Sequence, residues 1–137
     1  MNDLELTAFE CQVLEWLLAG RDPVLGSLRA QLAAATIVSH EQTGHGFYLQ
    51  FAVPECVTRV HEQFGTKPDF CFGDIEASIH ALEHGAGFVL WIREGALDLL
   101  EGYTYEEAWP ACVRDFRLCY LNSGERDIDQ LRKRWKK

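Results

Sequence analysis

GDIEASIHALEHGAGFVLWIREGALDLLEGYTYEEAWP, residues 73–110, is the stretch that decides the fold class. Ile75, Ala77, Ile79 and Ala81 alternate with polar neighbours, the period of a strand with one buried face. Glu83 to Gly87 reads as a turn, and Phe88 to Arg93 and Leu97 to Glu101 read as two strands around Glu94-Gly95. Glycine suits the positive φ of a two-residue hairpin turn. Glutamate at the other central position suits it less, which leaves the turn type open. A plain two-residue turn sets Ile92 opposite Leu97 and Leu90 opposite Leu99, with Trp91 opposite Asp98 and Val89 opposite Leu100 on the other face. Both faces then carry apolar residues. Tyr103 to Pro110 reads as a loop or a single helical turn.

Upstream of this stretch the period is helical. Thr7-Ala8-Phe9-Glu10 fits a capping box, and Leu6, Phe9, Val13, Trp16 and Leu17 share a face that Gly20 ends. Asp22 caps a second start, with Pro23 at its first position and Leu25, Leu28 and Leu32 along one side. These predict a helical hairpin over 8–19 and 23–35. Thr36 to Ser39 is β-prone, Thr43 to Gly46 is a turn, and Phe47, Leu49, Phe51 and Val53 alternate up to Pro54. Val57, Val60, His61 and Phe64 predict a short helix, and residues 66–69 a loop. Val113 to Leu121 predicts the last strand, broken by Asn122-Ser123-Gly124. Asp127 then caps a terminal helix in which Ile128, Leu131 and Trp135 share a face.

The expected fold is therefore a single α+β domain over residues 1–137. An N-terminal helical hairpin packs on a mostly antiparallel sheet of five to six strands in hairpin order, and a short C-terminal helix closes it. The chain of 137 residues, 47% hydrophobic and 25% charged, is long enough for one substantial core.

Charge narrows the function classes. The net charge is −8, and five of the 13 basic residues are Arg132, Lys133, Arg134, Lys136 and Lys137. Residues 1–131 hold 21 acidic and 8 basic side chains, a balance of −13 that repels phosphate backbones and argues against nucleic acid as partner. The basic end reads as a solvated helix terminus. No apolar run is long enough to span a membrane, and the first residues, MNDLELTAFECQ, lack the basic-then-apolar order of a secretory leader. Five widely spaced cysteines fit a reducing cytoplasm better than a disulfide framework.

No catalytic signature emerges. His80 and His84 are four apart, but the strand period puts one on a strand and the other in a turn, so they share no helical face for a metal. No Cys-x-x-Cys, nucleophile elbow or phosphate loop occurs, and no cofactor is expected. What stands out is the acidic, aromatic group of Glu101, Tyr103, Tyr105, Glu106 and Glu107 beside Trp109. Aromatic rings supply contact area and carboxylates steer a cation, which predicts a surface for a basic protein partner. Two alternatives stand beside it. One is a small hydrolase or ligand-binding domain with a pocket between helices and sheet, lined by His80, Glu101 and a tyrosine. The other is a homodimer pairing through Val89, Trp91 and Leu100.

The segments GFYLQFAVP at 46–54, GAGFVLWI at 85–92 and LEGYTYEEAWP at 100–110 resemble those of a group of small uncharacterised bacterial proteins. The resemblance covers about two-thirds of the chain. It implies a bacterial cytoplasmic origin and an α+β fold, and brings no activity or catalytic residue with it. In size and acidity the chain is also similar to bacterial toxin-immunity proteins, with no shared motif.

Overall fold

A computed structural model describes residues 5–121 and 125–137. The predicted break at Asn122-Ser123-Gly124 lies outside the described residues. The fold is α+β. Helices α1 (Ala8–Leu17) and α2 (Pro23–Ala34) precede β1 (Thr36–Gln42) and β2 (Gly46–Ala52). Then come α3 (Val60–Phe64), β3 (Phe70–Phe72), β4 (Ile75–Ile79), β5 (Ala86–Arg93), β6 (Ala96–Thr104), β7 (Phe116–Tyr120) and α4 (Ile128–Arg132).

The helix starts follow the local signals. The Thr7 hydroxyl accepts from Glu10 N at 3.1 Å, and Glu10 Oε1 accepts from Thr7 N at 2.9 Å. Asp22 Oδ1 accepts from Val24 N at 2.9 Å, with Pro23 in the first turn. Asp127 caps α4 by accepting from Gln130 N. All three signals depend on neighbours within three residues, which is why sequence alone finds them.

Among the described residues the sheet has seven strands, more than the expected five to six, and every pairing is antiparallel. Its order is β1-β2-β6-β5-β4-β7, with β3 also on β5, so the expected hairpin order is corrected. One flank of β5 is shared by β3 and β4. The β1–β2 hairpin buries one face, and it completes the core beside β6. There Phe47, Leu49 and Phe51 continue the surface of Leu100, Leu90 and Phe88. The last strand is shorter than Val113–Leu121, and Phe70–Phe72 is a strand the alternation does not announce.

The hairpin register is also corrected. Ile92 faces Leu97 as expected, but Asp98 is an extra residue. Trp91 therefore faces Leu99, Leu90 faces Leu100 and Val89 faces Glu101. Glu94 and Gly95 have φ of 50° and 75°, the two positive values of a type I′ turn. The bulge has a plain cause. In the unbulged register Leu97, Leu99 and Glu101 would share the core face, and a carboxylate would be buried without a partner. One extra residue returns Glu101 to the outer face and seats Leu100 in the core, fully buried.

Helices α1 and α2 supply most of the helical side of the core, which Val60 of α3 and Leu131 of α4 join. Phe9, Val13, Leu14 and Leu17 of α1 and Leu25 and Leu28 of α2 bury against the inner strand faces. Trp135, past the end of α4, packs on Phe70 and Phe72 at ring distances of 5.7 and 5.8 Å.

Candidate functional site

The outer sheet face is built from rows of side chains that the register aligns. One row runs Gln50, Leu99, Trp91, Cys71, and the next runs Tyr48, Glu101, Val89. A third sets Tyr103 between Gly46 and Gly87. A Cβ on Gly87 would stand 2.5 Å from the Tyr103 ring, so the bare backbone there is what lets the ring lie across β5. Arg134, just past α4, reaches the Cys71 end of the first row at 3.3 Å, and α4 flanks Val89 across a cleft. Tyr48, Trp91 and Tyr105 are 36%, 41% and 44% exposed, unusual for rings of this size.

Of the five predicted residues, the structure brings Glu101, Tyr103 and Tyr105 together and sends Glu107 elsewhere. Glu101 is on β6 as expected, and because β6 runs to Thr104, Tyr103 is on the strand too and not in a loop. The Tyr103 and Tyr105 rings meet edge-on at 5.7 Å. Trp91 Nε1 donates to Glu101 Oε1 at 3.4 Å, adding a tryptophan to the group. Burial pushes the Tyr103 phenol up, and Tyr105 and the Glu101 carboxylate push it further, so it remains a neutral hydroxyl at neutral pH. Glu106 is exposed, at a φ of 70°.

Glu107 turns back to hold the turn after β4. Its two carboxylate oxygens accept from Glu83 N at 2.9 Å and His84 N at 3.1 Å, and these bonds lower its pKa. Thr104 donates its backbone N–H to the His45 carbonyl at 2.8 Å and its hydroxyl to the Glu107 carbonyl. Trp109 leaves the group too, packing on Phe47 and Phe9 at 5.2 and 6.1 Å on the helical side. A pH test follows. Because the folded pKa of Glu107 is depressed, its stabilisation is present above the unfolded pKa and is lost as pH falls through the folded one. The Glu83 and His84 amide resonances are expected to shift together in an NMR titration, with a midpoint below the ordinary carboxylate range. A midpoint within that range, or independent shifts, would contradict the anchor.

Two clefts open beside the rows. One, of about 500 Å³, lies on the outer face, with Cys71, Trp91 and Leu99 as floor and Asp69, Glu94 and Asp98 as rim. The other, of about 400 Å³, lies between the β3–β4 junction and α4, beside Val89, Tyr120, Leu131, Asp127 and Arg134. Neither includes His80 or Glu101, and neither lies between the helical hairpin and the sheet.

The remaining reactive groups are dispersed. The five cysteines are free, and burial beside Glu76 raises the Cys119 thiol pKa. His84 lies 4.0 Å from Glu83, and His40 Nε2 meets the buried Glu10 carboxylate at 2.6 Å. Among the described residues no three His, Cys, Asp or Glu side chains are grouped to hold a metal, and no helix is long and apolar enough to cross a membrane.

Sequence reasoning groups Glu101, Tyr103 and Tyr105, which the structure also places side by side, and does not connect them with Trp91, Tyr48 and Leu99. The bulge at Asp98 decides which of Leu99 and Leu100 faces out, and no local pattern announces it. Compared with protein-family models, curated proteins and solved structures, the chain finds no match.

Proposed function

We propose that this protein is a non-enzymatic binding module that receives a basic protein partner on its outer sheet face. The observation that carries the reading is the centre of that face, where Trp91 and Tyr48 flank Glu101, and Tyr103, with Tyr105 at its edge, follows along the strand. Rings of this kind give contact area at low entropic cost, and the negative field draws in a cation and orients it. Glu41, opposite Tyr48, extends the negative row toward the sheet edge. The basic residues of the body are partly committed elsewhere. Arg29 and Arg59 donate to backbone carbonyls, and Arg126 is paired with Asp74. In its most concrete form the partner is a toxin whose basic site is occluded, with no bond chemistry by this chain.

A homodimer through the same face is less well supported. Leu100, one of its three expected contacts, lies in the core, and self-pairing would bury a carboxylate row against another negatively charged face.

The reading is tested by carbodiimide footprinting of carboxylates with a small amine label, in the presence of an octaarginine peptide acetylated and amidated at its ends, at low and high salt. Protection is expected at Glu101 and Glu41, fading with salt. Glu101→Lys is expected to weaken association on the order of tenfold. A footprint away from this face, or indifference to Glu101→Lys, overturns the reading.

A further inference from the structure

The outer-face cleft of about 500 Å³ has a more specific chemistry than the face around it. Its floor is the Trp91 indole, flanked by Leu99 and Cys71 in one cross-strand row. Three carboxylates rim it, each placed by backbone geometry. Asp69 Oδ1 accepts from Glu94 N at 2.8 Å, Glu94 occupies the first turn position at positive φ, and Asp98 is the bulge residue. Two cations of the chain stand near it: Arg93, 74% exposed, reaches Asp98 only at 3.9 Å, and Arg134 is held at the Cys71 end, donating to Cys71 O at 2.8 Å and Cys71 Sγ at 3.3 Å, away from the three carboxylates. Trp91 Nε1 points to Glu101, which ties the indole to the neighbouring row.

An indole face next to several carboxylates favours a flat, delocalised cation over a compact one. A guanidinium stacks on the ring and still directs its edge N–H groups to carboxylates in the ring plane. An ammonium forms a point contact and keeps more of its hydration. Resting on the reading that the outer face binds a basic partner, we propose that this cleft selects an arginine of that partner, laid on Trp91 between Asp98 and the Asp69–Glu94 edge. An extended partner strand would lay alternate side chains on the face at the spacing of the rows, with one entering the cleft.

The test uses two pentapeptides, acetyl-Thr-Arg-Thr-Arg-Thr-amide and its lysine counterpart, titrated into the full chain by calorimetry at low salt. The arginine peptide is expected to bind roughly fivefold more tightly, in keeping with a guanidinium–indole contact. Trp91→Ala is expected to remove that preference while both peptides still bind. Because Trp91 is on the surface, Trp91→Leu serves as a second variant that keeps the strand apolar, and it is expected to lose the preference equally. Arg93→Ala, removing the cation next to Asp98, is expected to tighten the arginine peptide. Equal binding of both peptides by the unaltered chain, or an arginine preference that survives both Trp91 variants, overturns the cleft assignment. If the peptides bind without preference and Glu101→Lys weakens both, the cleft assignment fails and the broader reading stands. If neither peptide binds, or Glu101→Lys changes nothing, the broader reading fails and takes the cleft with it.

Discussion

Replacing Arg126 with methionine is expected to lower the stability of the fold by about 3 kcal/mol, at the lower end of what breaking a buried ion pair costs. The guanidinium, only 10% exposed, makes a fork with the Asp74 carboxylate at 2.8 and 3.0 Å. Its other N–H groups donate to the carbonyls of Ala19 and Leu17 just where α1 ends. These are carbonyls that a helix terminus leaves without intrahelical partners. The same group lies 5.2 Å from the Tyr120 ring and 5.9 Å from that of Phe72. Tyr120 in turn donates its hydroxyl to Trp16 O at 2.7 Å. One side chain thus fastens the end of α1 to the start of β4 and the end of β7. Methionine keeps the apolar contacts but strands a carboxylate and the two carbonyls. Urea unfolding should show the loss as a lower midpoint. Adding Asp74→Asn to the variant should recover part of it, because the unpaired charge is gone. A loss under about 1 kcal/mol, in the range of surface pairs, would mean that this fastening is dispensable.

Gln31→Leu is expected to cost about 2–3 kcal/mol, although it puts an apolar residue into an apolar interior. Gln31 is fully buried. Its Oε1 accepts from Leu97 N at 2.9 Å, and its Nε2 donates to Gly95 O at 2.8 Å and Thr58 O at 3.0 Å. The residue it serves, Leu97, comes just before the bulge at Asp98. Leucine leaves the Leu97 N–H buried without an acceptor, and an orphaned buried donor costs more than its hydrogen bond contributed. Gly95 O keeps a second donor, Val60 N, at 3.0 Å, so the loss concentrates at Leu97. Hydrogen exchange distinguishes this from a general loosening. The Leu97 amide should lose protection by more than those of Phe88 or Leu90 in the same sheet. Uniform loss across β5 and β6 would contradict the local account.

Neither residue stands out in the sequence, and the reason is the same for both. Gln31 interrupts the Leu25, Leu28, Leu32 face as a polar residue that pattern reading assigns to solvent, and its partners lie 27 and more positions away. Arg126 sits next to the Asp127 cap and reads as a surface charge, yet its contacts are 52 to 109 positions distant. A buried polar group is recognised by its partners, and distant partners leave no trace in local composition.

The candidate site divides in the same way. The acidic and aromatic character of residues 101–107 is visible in the chain, but its geometry is not. Glu107 looks equivalent to Glu101 in sequence and spends its carboxylate on two turn amides. Trp109 looks like part of the cluster and packs on Phe9 and Phe47 across the sheet. Trp91 and Tyr48, far apart in the chain, enter the patch through rows set by strand pairing.

By itself the amino-acid order determined the helical hairpin with its two caps, the alternating strands, the Glu94-Gly95 turn and the acidic body. Each of these is governed by interactions within a few residues or by a simple sum of charges. Only the tertiary structure decided the β1-β2-β6-β5-β4-β7 order, the bulge that exchanges Leu99 for Leu100, and hence which side chains share the outer face. Strand pairing is selected by burial summed over the whole sheet. A one-residue shift reverses every side chain beyond it, so the energy that chooses between registers belongs to the assembled core and to no segment of the chain.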